Sequence, residues 1–252
     1  MKESLEWMMK RSAFMKESSM LNWFPKICDL DIPMPETFIV KIPYDKLSGM
    51  LDGKQLPDNY ATQIEQASQM LGYPLFLRTD NSSQKHDWKN SCYVENSDQL
   101  EQHIHNLIDT NGACDLVDSA IILREYIQMY SLFSAFWGDF PVSREMRNFI
   151  RDGKIQCKHW YWFEEVMKKQ GRPADSTWKE KLKYLNTLTD ESKRTLDHYL
   201  HLVAERFPEG YWSVDFCQGV DGKWYLIDMA RGEVSFHYPT CEKASEFAQE
   251  KE

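Results

Sequence analysis

Residues 211–233, Tyr-Trp-Ser-Val-Asp-Phe-Cys-Gln-Gly-Val-Asp-Gly-Lys-Trp-Tyr-Leu-Ile-Asp-Met-Ala-Arg-Gly-Glu, constrain the fold more than any other stretch of the chain. Two short apolar runs flank Asp221-Gly222, a dipeptide that favours a tight turn between antiparallel strands. Each expected strand sets a carboxylate among apolar neighbours: Asp215 follows Trp212 and Val214, and Asp228 follows Leu226 and Ile227. A lone ionised carboxylate in such surroundings is costly unless it is paired or holds a cation. Two of them at matching depth on adjacent strands make an oxygen-ligand site suited to Mg2+, an ion that commonly also holds nucleotide phosphates. The hairpin therefore points to ATP chemistry.

The 252-residue length allows one large domain or two lobes, and 42% hydrophobic and 13% aromatic residues are enough for a sizeable core. A net charge of −9 argues against non-specific coating of nucleic acid, while leaving room for a local basic groove. No apolar run approaches membrane-spanning length, and Met1 to Met20 reads as an amphipathic helix, not a signal peptide. The six cysteines are scattered and never form Cys-x-x-Cys. Reduced thiols in a cytoplasmic protein fit this pattern better than the disulfides of a secreted one. The spacing also argues against a structural zinc site, since surface or core roles account for His103 with His105 and for His198 with His201.

Along the chain, the first thirty residues are expected to be helical up to Pro25, and Thr37 to Ile42 form a strand after a proline-rich approach. Residues 45–59 read as a connecting loop, and 59–71 as a helix stopped by Gly72. Further strands are expected at 73–78, 91–94 and 120–127, with a helix over 98–108 capped by Ser97. Residues 143–149 and 155–162 make a hairpin about Asp152-Gly153, followed by a charged helical region over 178–207 and a terminal helix from Glu242. Strands and helices alternate without strict βαβ order, which predicts an α+β fold. The divisions read as 1–58, an abbreviated N-terminal segment, 59–123, a first lobe, and 124–252, a second lobe carrying the carboxylate hairpin.

Several cationic residues accompany this framework. Arg78 ends a strand, where its fork suits either a phosphate or a surface ion pair. The polar loop Asn81-Ser-Ser-Gln-Lys85 offers amides, hydroxyls and an ammonium for covering phosphates, without any Walker pattern. Arg124-Glu125-Tyr126-Ile127 closes the most strand-like run, and Glu125 suits either ribose hydroxyls or a structural ion pair. Arg144 and Arg147 differ by three, so at strand period only one of them can face a cleft. Lys158 and Trp160 share a face of the returning strand. Taken together, successive cationic residues followed by two buried carboxylates match the needs of a metal-bound nucleoside triphosphate.

In this order, the segments Pro74-Leu-Phe-Leu-Arg78-Thr-Asp with Lys85, Ile-Leu-Arg-Glu-Tyr-Ile127, Arg144-Glu-Met-Arg-Asn-Phe149 and the pair Val-Asp215-Phe and Leu-Ile-Asp228 resemble an ATP-grasp module. Within that superfamily the chain looks closest to the bacterial and phage branch named for a signature arginine and lysine. It is also similar to the eukaryotic ATP-grasp chaperone that helps assemble a translation initiation factor. The resemblance spans roughly residues 32–237 and implies two α+β lobes with nucleotide bound between them. It implies that Arg78 meets the α- and β-phosphates and that Lys85 lies in the loop over them. Arg124, Glu125 and the backbone of Tyr126 and Ile127 would grip adenine and ribose. Arg147 would reach the γ-phosphate or the acyl-phosphate, and Asp215 and Asp228 would hold Mg2+; Lys158 is expected beside Arg147 as a second catalytic residue. Many relatives place a further ligand, Asn, two residues past the second carboxylate, where this chain has Ala230. Either Glu233 substitutes, or the site holds one metal where relatives hold two. His237 suits either the acceptor side of the site or a packed core.

The resemblance implies an ATP-dependent ligase that joins a carboxylate to an amine through an acyl-phosphate. The rival expectation is an ATP-binding assembly factor that grips a protein partner without ligase activity. Nucleotidyl transfer fits poorly, because Asp52-Gly-Lys54 and Asp152-Gly-Lys154 reverse the order of a nucleophilic Lys-x-Asp-Gly motif.

Overall fold

Strand β4 (Ala120–Glu125) organises the first half of the chain. In the computed structural model, which describes residues 5–137, 139–238 and 241–243, β4 lies between β1 (Thr37–Lys41) and β2 (Leu75–Thr79). The short β3 (Tyr93–Val94) extends the sheet beyond β2, and every pairing is antiparallel. Because strand side chains alternate, Ile121 and Leu123 point with Leu75, Leu77 and Val40 into one core. There they meet Ile64 of helix α4 (Asp58–Leu71) and Ile104 and Leu107 of α5 (Leu100–Ala113). The opposite face of β4 carries Ala120, Ile122 and Arg124. Ala120 and Ile122 join a second core, so this strand is apolar along nearly its whole length because both of its faces are covered.

That second core belongs mainly to a four-stranded antiparallel sheet of order β10-β9-β7-β8. Its strands are β7 (Glu145–Arg151), β8 (Lys154–Trp160), β9 (Tyr211–Gln218) and β10 (Trp224–Arg231). Leu196, Leu200 and Val203 of α8 (Asp190–Arg206) cover Met146, Val214, Phe216 and Leu226. Met20 and Trp23 of the short helix α2 (Met20–Trp23), which follows α1 (Leu5–Glu17), wedge into the same core beside Ile122 and so join the two sheets. The expected turns are present. Asp152 and Gly153 have φ of 48° and 71°, the left-handed pair a two-residue hairpin needs, and Gly222 has φ of 84°.

A third, aromatic cluster forms around the hairpin of β5 (Ser131–Ala135) and β6 (Phe140–Ser143). Trp88, Phe133, Phe140 and Trp162 pack there with Leu182 and Leu185 of α7 (Trp178–Leu185), which follows the single turn α6 (Glu164–Val166).

Several local expectations need correction. Residues 45–59 are not all loop: α3 (Tyr44–Gly49) and a 3-10 turn, Met50–Asp52, form there because Leu47 is drawn into the first core. Asn96, not Ser97, caps the turn that leads into α5, its side chain accepting from the Asp98 amide. The 178–207 region is two helices, and Thr189 starts the second by accepting from the Ser192 amide. The N-terminal segment is not a separate unit, since β1 pairs with β4 and α2 lies in the second core. A boundary after residue 123 would cut β4. Of the helix expected from Glu242, Glu242 and Lys243 are described and form a turn, and the rest lies outside the described residues. Among the described residues, no helix is long and apolar enough to cross a membrane.

Candidate functional site

One face of the second sheet carries a row of charge. Asp215 on β9 is the register partner of both Arg147 on β7 and Asp228 on β10, and directly opposed residues of a sheet share a face. Asp228 reaches this face because of an irregularity. Leu226 opposes Phe216 and Asp228 opposes Asp215, so Ile227 is an extra residue in the ladder. An uninterrupted strand would send Leu226 and Asp228 to the same side. The bulge leaves Leu226 in the core and turns Asp228 to the charged face.

Arg147 binds Asp215 with both arms of its fork, Nε to Oδ1 at 2.9 Å and Nη2 to Oδ2 at 2.7 Å. Such bidentate, charge-assisted pairs are the strong ones. Glu145, two residues before Arg147 and on the same face, is buried, and its Oε1 accepts from Lys85 Nζ at 3.2 Å. Lys85 also sits 3.9 Å from the centroid of the Tyr161 ring, and the Arg147 guanidinium 4.5 Å from it. Burial alone would pull the Lys85 ammonium down, but Glu145, Tyr161 and Asp215 outweigh it and hold the ammonium well above its ordinary value.

The first sheet presents two arginines to this row. Arg78 opposes Ile122 and Arg124 opposes Phe76 across β2 and β4, so both guanidiniums leave the face that points away from α4 and α5. Arg78 Nη1 donates to Asp228 Oδ1 at 2.9 Å, and Arg124 Nη1 donates to the Ile227 carbonyl at 2.7 Å. These contacts cross from one sheet to the other. Arg124 Nη2 is buried without a hydrogen-bond partner among the described residues. Burial, and next the neighbouring Arg78, pull this guanidinium down to about 9, with Asp228 opposing them. A buried guanidinium that is short of acceptors beside a second arginine is a strong draw for an anion. At Asp228, burial favours the neutral acid, but Arg78, Lys85 and Arg124 prevail and the carboxyl lies below its ordinary value.

Of these groups, Arg78, Lys85, Arg124, Glu145, Tyr161 and Asp228 border a cavity of about 610 Å³ between the sheets, a size typical of small-molecule sites. Asp215 and Arg147 stand behind Asp228 and do not line it. Arg78, Lys85, Arg124, Glu125, Tyr126, Ile127 and Asp228 all line it, as do Asn81 to Gln84 of the polar loop. Aromatic residues form much of the remaining wall: the rings of Phe76 and Trp88 are 5.9 Å apart, and those of Trp88 and Tyr126 are 6.2 Å apart. Glu125 is exposed at the rim, where its carboxylate accepts from the Glu36 amide at 3.3 Å.

Two expected site residues do not join this group. Lys158 lies on β8 opposite Asn148, the next position along from the Arg147–His159 pair, so it faces α8 and pairs with Asp197. Strand alternation removes it from the charged row. Glu233 is buried against Arg231, whose Nε and Nη2 donate to its two oxygens at 3.1 and 2.8 Å, and it does not line the cavity. Its carboxylate is thus held by Arg231 as that of Asp215 is by Arg147, but away from the cavity. Arg144 points away from Arg147, as expected. It donates to the Leu185 and Tyr184 carbonyls and to Gln218 Oε1. Glu145 and Tyr161 escaped the sequence reading. The period of two through Arg144-Glu-Met-Arg147 would have put Glu145 beside Arg147, whereas nothing local marks Tyr161.

Among solved structures, the chain is similar to the ADP complex of N5-carboxyaminoimidazole ribonucleotide synthetase, at 14% identity and a TM-score of 0.52, covering 92% of this chain and 50% of that one. It is also similar to D-alanine–D-alanine ligase from Bacillus anthracis, at 14% identity and a TM-score of 0.48, covering 84% of this chain and 55% of that one. The chain thus spans about half the length of these structures. Comparison with curated proteins returns no sequence match. The ATP-grasp domain family of R2K clade family 3 matches residues 68–250. With most of its length inside that match, and a cleft lined by the arginine and lysine described above, the chain belongs to the R2K clade of the ATP-grasp superfamily.

Proposed function

We propose that the protein is an ATP-dependent ligase that joins a carboxylate to an amine through an acyl-phosphate. The observation that carries this reading is that Arg78, Lys85, Arg124, Glu145 and Asp228 line one cavity, with Asp215 and Arg147 next in the row behind Asp228 on the second sheet. The aromatic wall suits adenine, with the backbone of Tyr126 and Ile127 at its polar edge and Glu125 near the ribose. Arg78 and Arg124 then meet phosphate oxygens, and Lys85 holds the covering loop over them.

In the first step, an oxygen of the substrate carboxylate attacks the γ-phosphorus, the bond to the β,γ-bridging oxygen breaks, and ADP leaves. In the second, the amine attacks the acyl carbon, inorganic phosphate leaves, and the nitrogen loses its extra proton. Arg147, freed in part from Asp215, offsets charge on the transferred group. No covalent intermediate on the protein is needed, because positioning and electrostatics supply the rate. The wall around Lys85 excludes water that would hydrolyse the acyl-phosphate.

Asp228, 41% exposed at the cavity, offers oxygen of the kind Mg2+ prefers, and its register partner Asp215 would join it only by giving up the Arg147 fork. An ion held there would help neutralise the charge that develops on the transferred phosphoryl group. Ala230 offers no oxygen beside them, and this favours a second reading, a nucleotide-binding assembly factor without ligase turnover.

Calorimetry with ATP, with and without Mg2+, on wild type and Asp228→Asn tests the site. Metal-dependent binding that weakens at least about tenfold in the variant, a change of about 1.4 kcal/mol, is expected. Unchanged affinity in the variant would overturn the assignment of Asp228. Release of ADP that depends on added carboxylate and amine separates the ligase from the assembly factor.

A further inference from the structure

The scattered cysteines argue against zinc in the sequence, yet the fold collects four soft donors on the second sheet. Cys157 and His159 are two apart on β8 and so share a face. His237 and Cys241 follow β10 and fold back over that face. One donor atom from each of the four lies within 4.8 Å of all the others. A tetrahedral zinc with bonds of about 2.0 to 2.3 Å holds its ligands roughly 3.5 Å apart, so small side-chain adjustments bring the set onto one ion.

The hydrogen bonding already prepares the ligands. His237 Nδ1 lies 3.2 Å from the Tyr238 carbonyl, which can only accept, so the ring proton belongs on Nδ1. Its Nε2 is then left with a lone pair, directed at Cys157 Sγ 3.0 Å away. Donation from the other ring nitrogen to a backbone carbonyl is the usual outer support of a metal-bound histidine. His159 Nε2 is buried with no hydrogen-bond partner among the described residues. Its ring is held in place by His237 edge-on at 4.8 Å and by Tyr238 stacked at 5.3 Å.

We propose that Cys157, His159, His237 and Cys241 form a structural zinc site that ties the segment after β10 to the edge strand β8. Two thiolates and two neutral imidazoles around Zn2+ leave no net charge, and binding releases the two thiol protons to solvent. Four protein ligands leave no open position, which marks a structural site and not a catalytic one. The location gives it a consequence for the cleft. His159 is the register partner of Arg147, and the Phe236 carbonyl lies 3.5 Å from Arg147 Nη1. The zinc would therefore brace the strand and the segment that flank Arg147.

The test uses the untagged full-length chain, expressed with added zinc and purified under reducing conditions without chelators. Elemental analysis should find about one zinc per chain. The metal should persist in Asp228→Asn, which separates this site from the nucleotide site, and fall to background in the Cys157→Ser/Cys241→Ser double variant. Should that variant not fold, cobalt added to the stripped wild type gives an independent readout: the strong visible bands of a tetrahedral thiolate complex are expected. Zinc below a tenth of an equivalent after reconstitution would overturn the proposal. So would the weak pink spectrum of octahedral cobalt, or a Cys157–Cys241 disulfide in the freshly prepared protein.

Discussion

Single residues in this molecule act as balanced pairs, and the balance decides what a substitution does. Glu145 is 2% exposed and has Lys85 as its cationic partner. Removing one member of a buried pair leaves the other charge without compensation, which costs far more than the pair contributes as a whole. Glu145→Gln is expected to lower stability by about 3 kcal/mol, measured as a lower urea midpoint with an unchanged slope. Adding Lys85→Met should recover part of that loss, because the stranded ammonium is gone. Arg78 and Asp228 form a similar pair, but the Asp228 side chain is 41% exposed at the cavity. Asp228→Asn is therefore expected to weaken phosphate and cation binding and, by leaving the buried Arg78 short of its anion, to lower stability as well. Lys158 illustrates the opposite case: it belongs to the same strand as the zinc ligands, but its alternate direction makes it a partner of α8.

At the level of elements, turn and cap chemistry was legible without any tertiary information. Asp152-Gly153 and Asp221-Gly222 mark their hairpins because the turns need left-handed backbone, which Asp152, Gly153 and Gly222 adopt at low cost. The start of α8 is a similar local device. Thr189 accepts from the Ser192 amide, satisfying one of the donors that a helix start leaves free. Thr189→Ala should cost about 1 kcal/mol, read as a shift in the denaturation midpoint with nucleotide binding unchanged. The bulge at Ile227 was not legible, although it decides the direction of the Asp228 side chain. A bulge adds one residue to a ladder, and no local pattern separates Leu-Ile-Asp with a bulge from the same triplet without one. Likewise, the β5–β6 hairpin was missed because its short strands draw their burial from the aromatic cluster around them.

Across the whole molecule, the two sheets are joined by α2 on the apolar side and, on the cleft side, by Arg78 to Asp228 and Arg124 to the Ile227 carbonyl. A ligand that bridges the same gap stabilises the folded state by mass action. At a hundred times its dissociation constant, Mg-ATP should add about 2.7 kcal/mol, or roughly 5 to 10 °C in thermal midpoint for a chain of this size. Thermal scans should show that shift in wild type and lose about half of it in Asp228→Asn at the same concentration, as a tenfold weaker affinity requires. The sequence by itself determined the β7–β8 and β9–β10 hairpins, most helices, the buried strand β4 and the two carboxylates, because these follow from periodicity and turn chemistry within a few residues. Only the tertiary structure decided which charges meet. Lys85 and Glu145 are 60 positions apart and Arg78 and Asp228 150 apart. Glu233 is claimed by Arg231, and four soft donors converge beside Arg147. Such pairings depend on sheet register, on one bulge and on how two sheets close over a cleft, and none of these is a property of neighbouring residues.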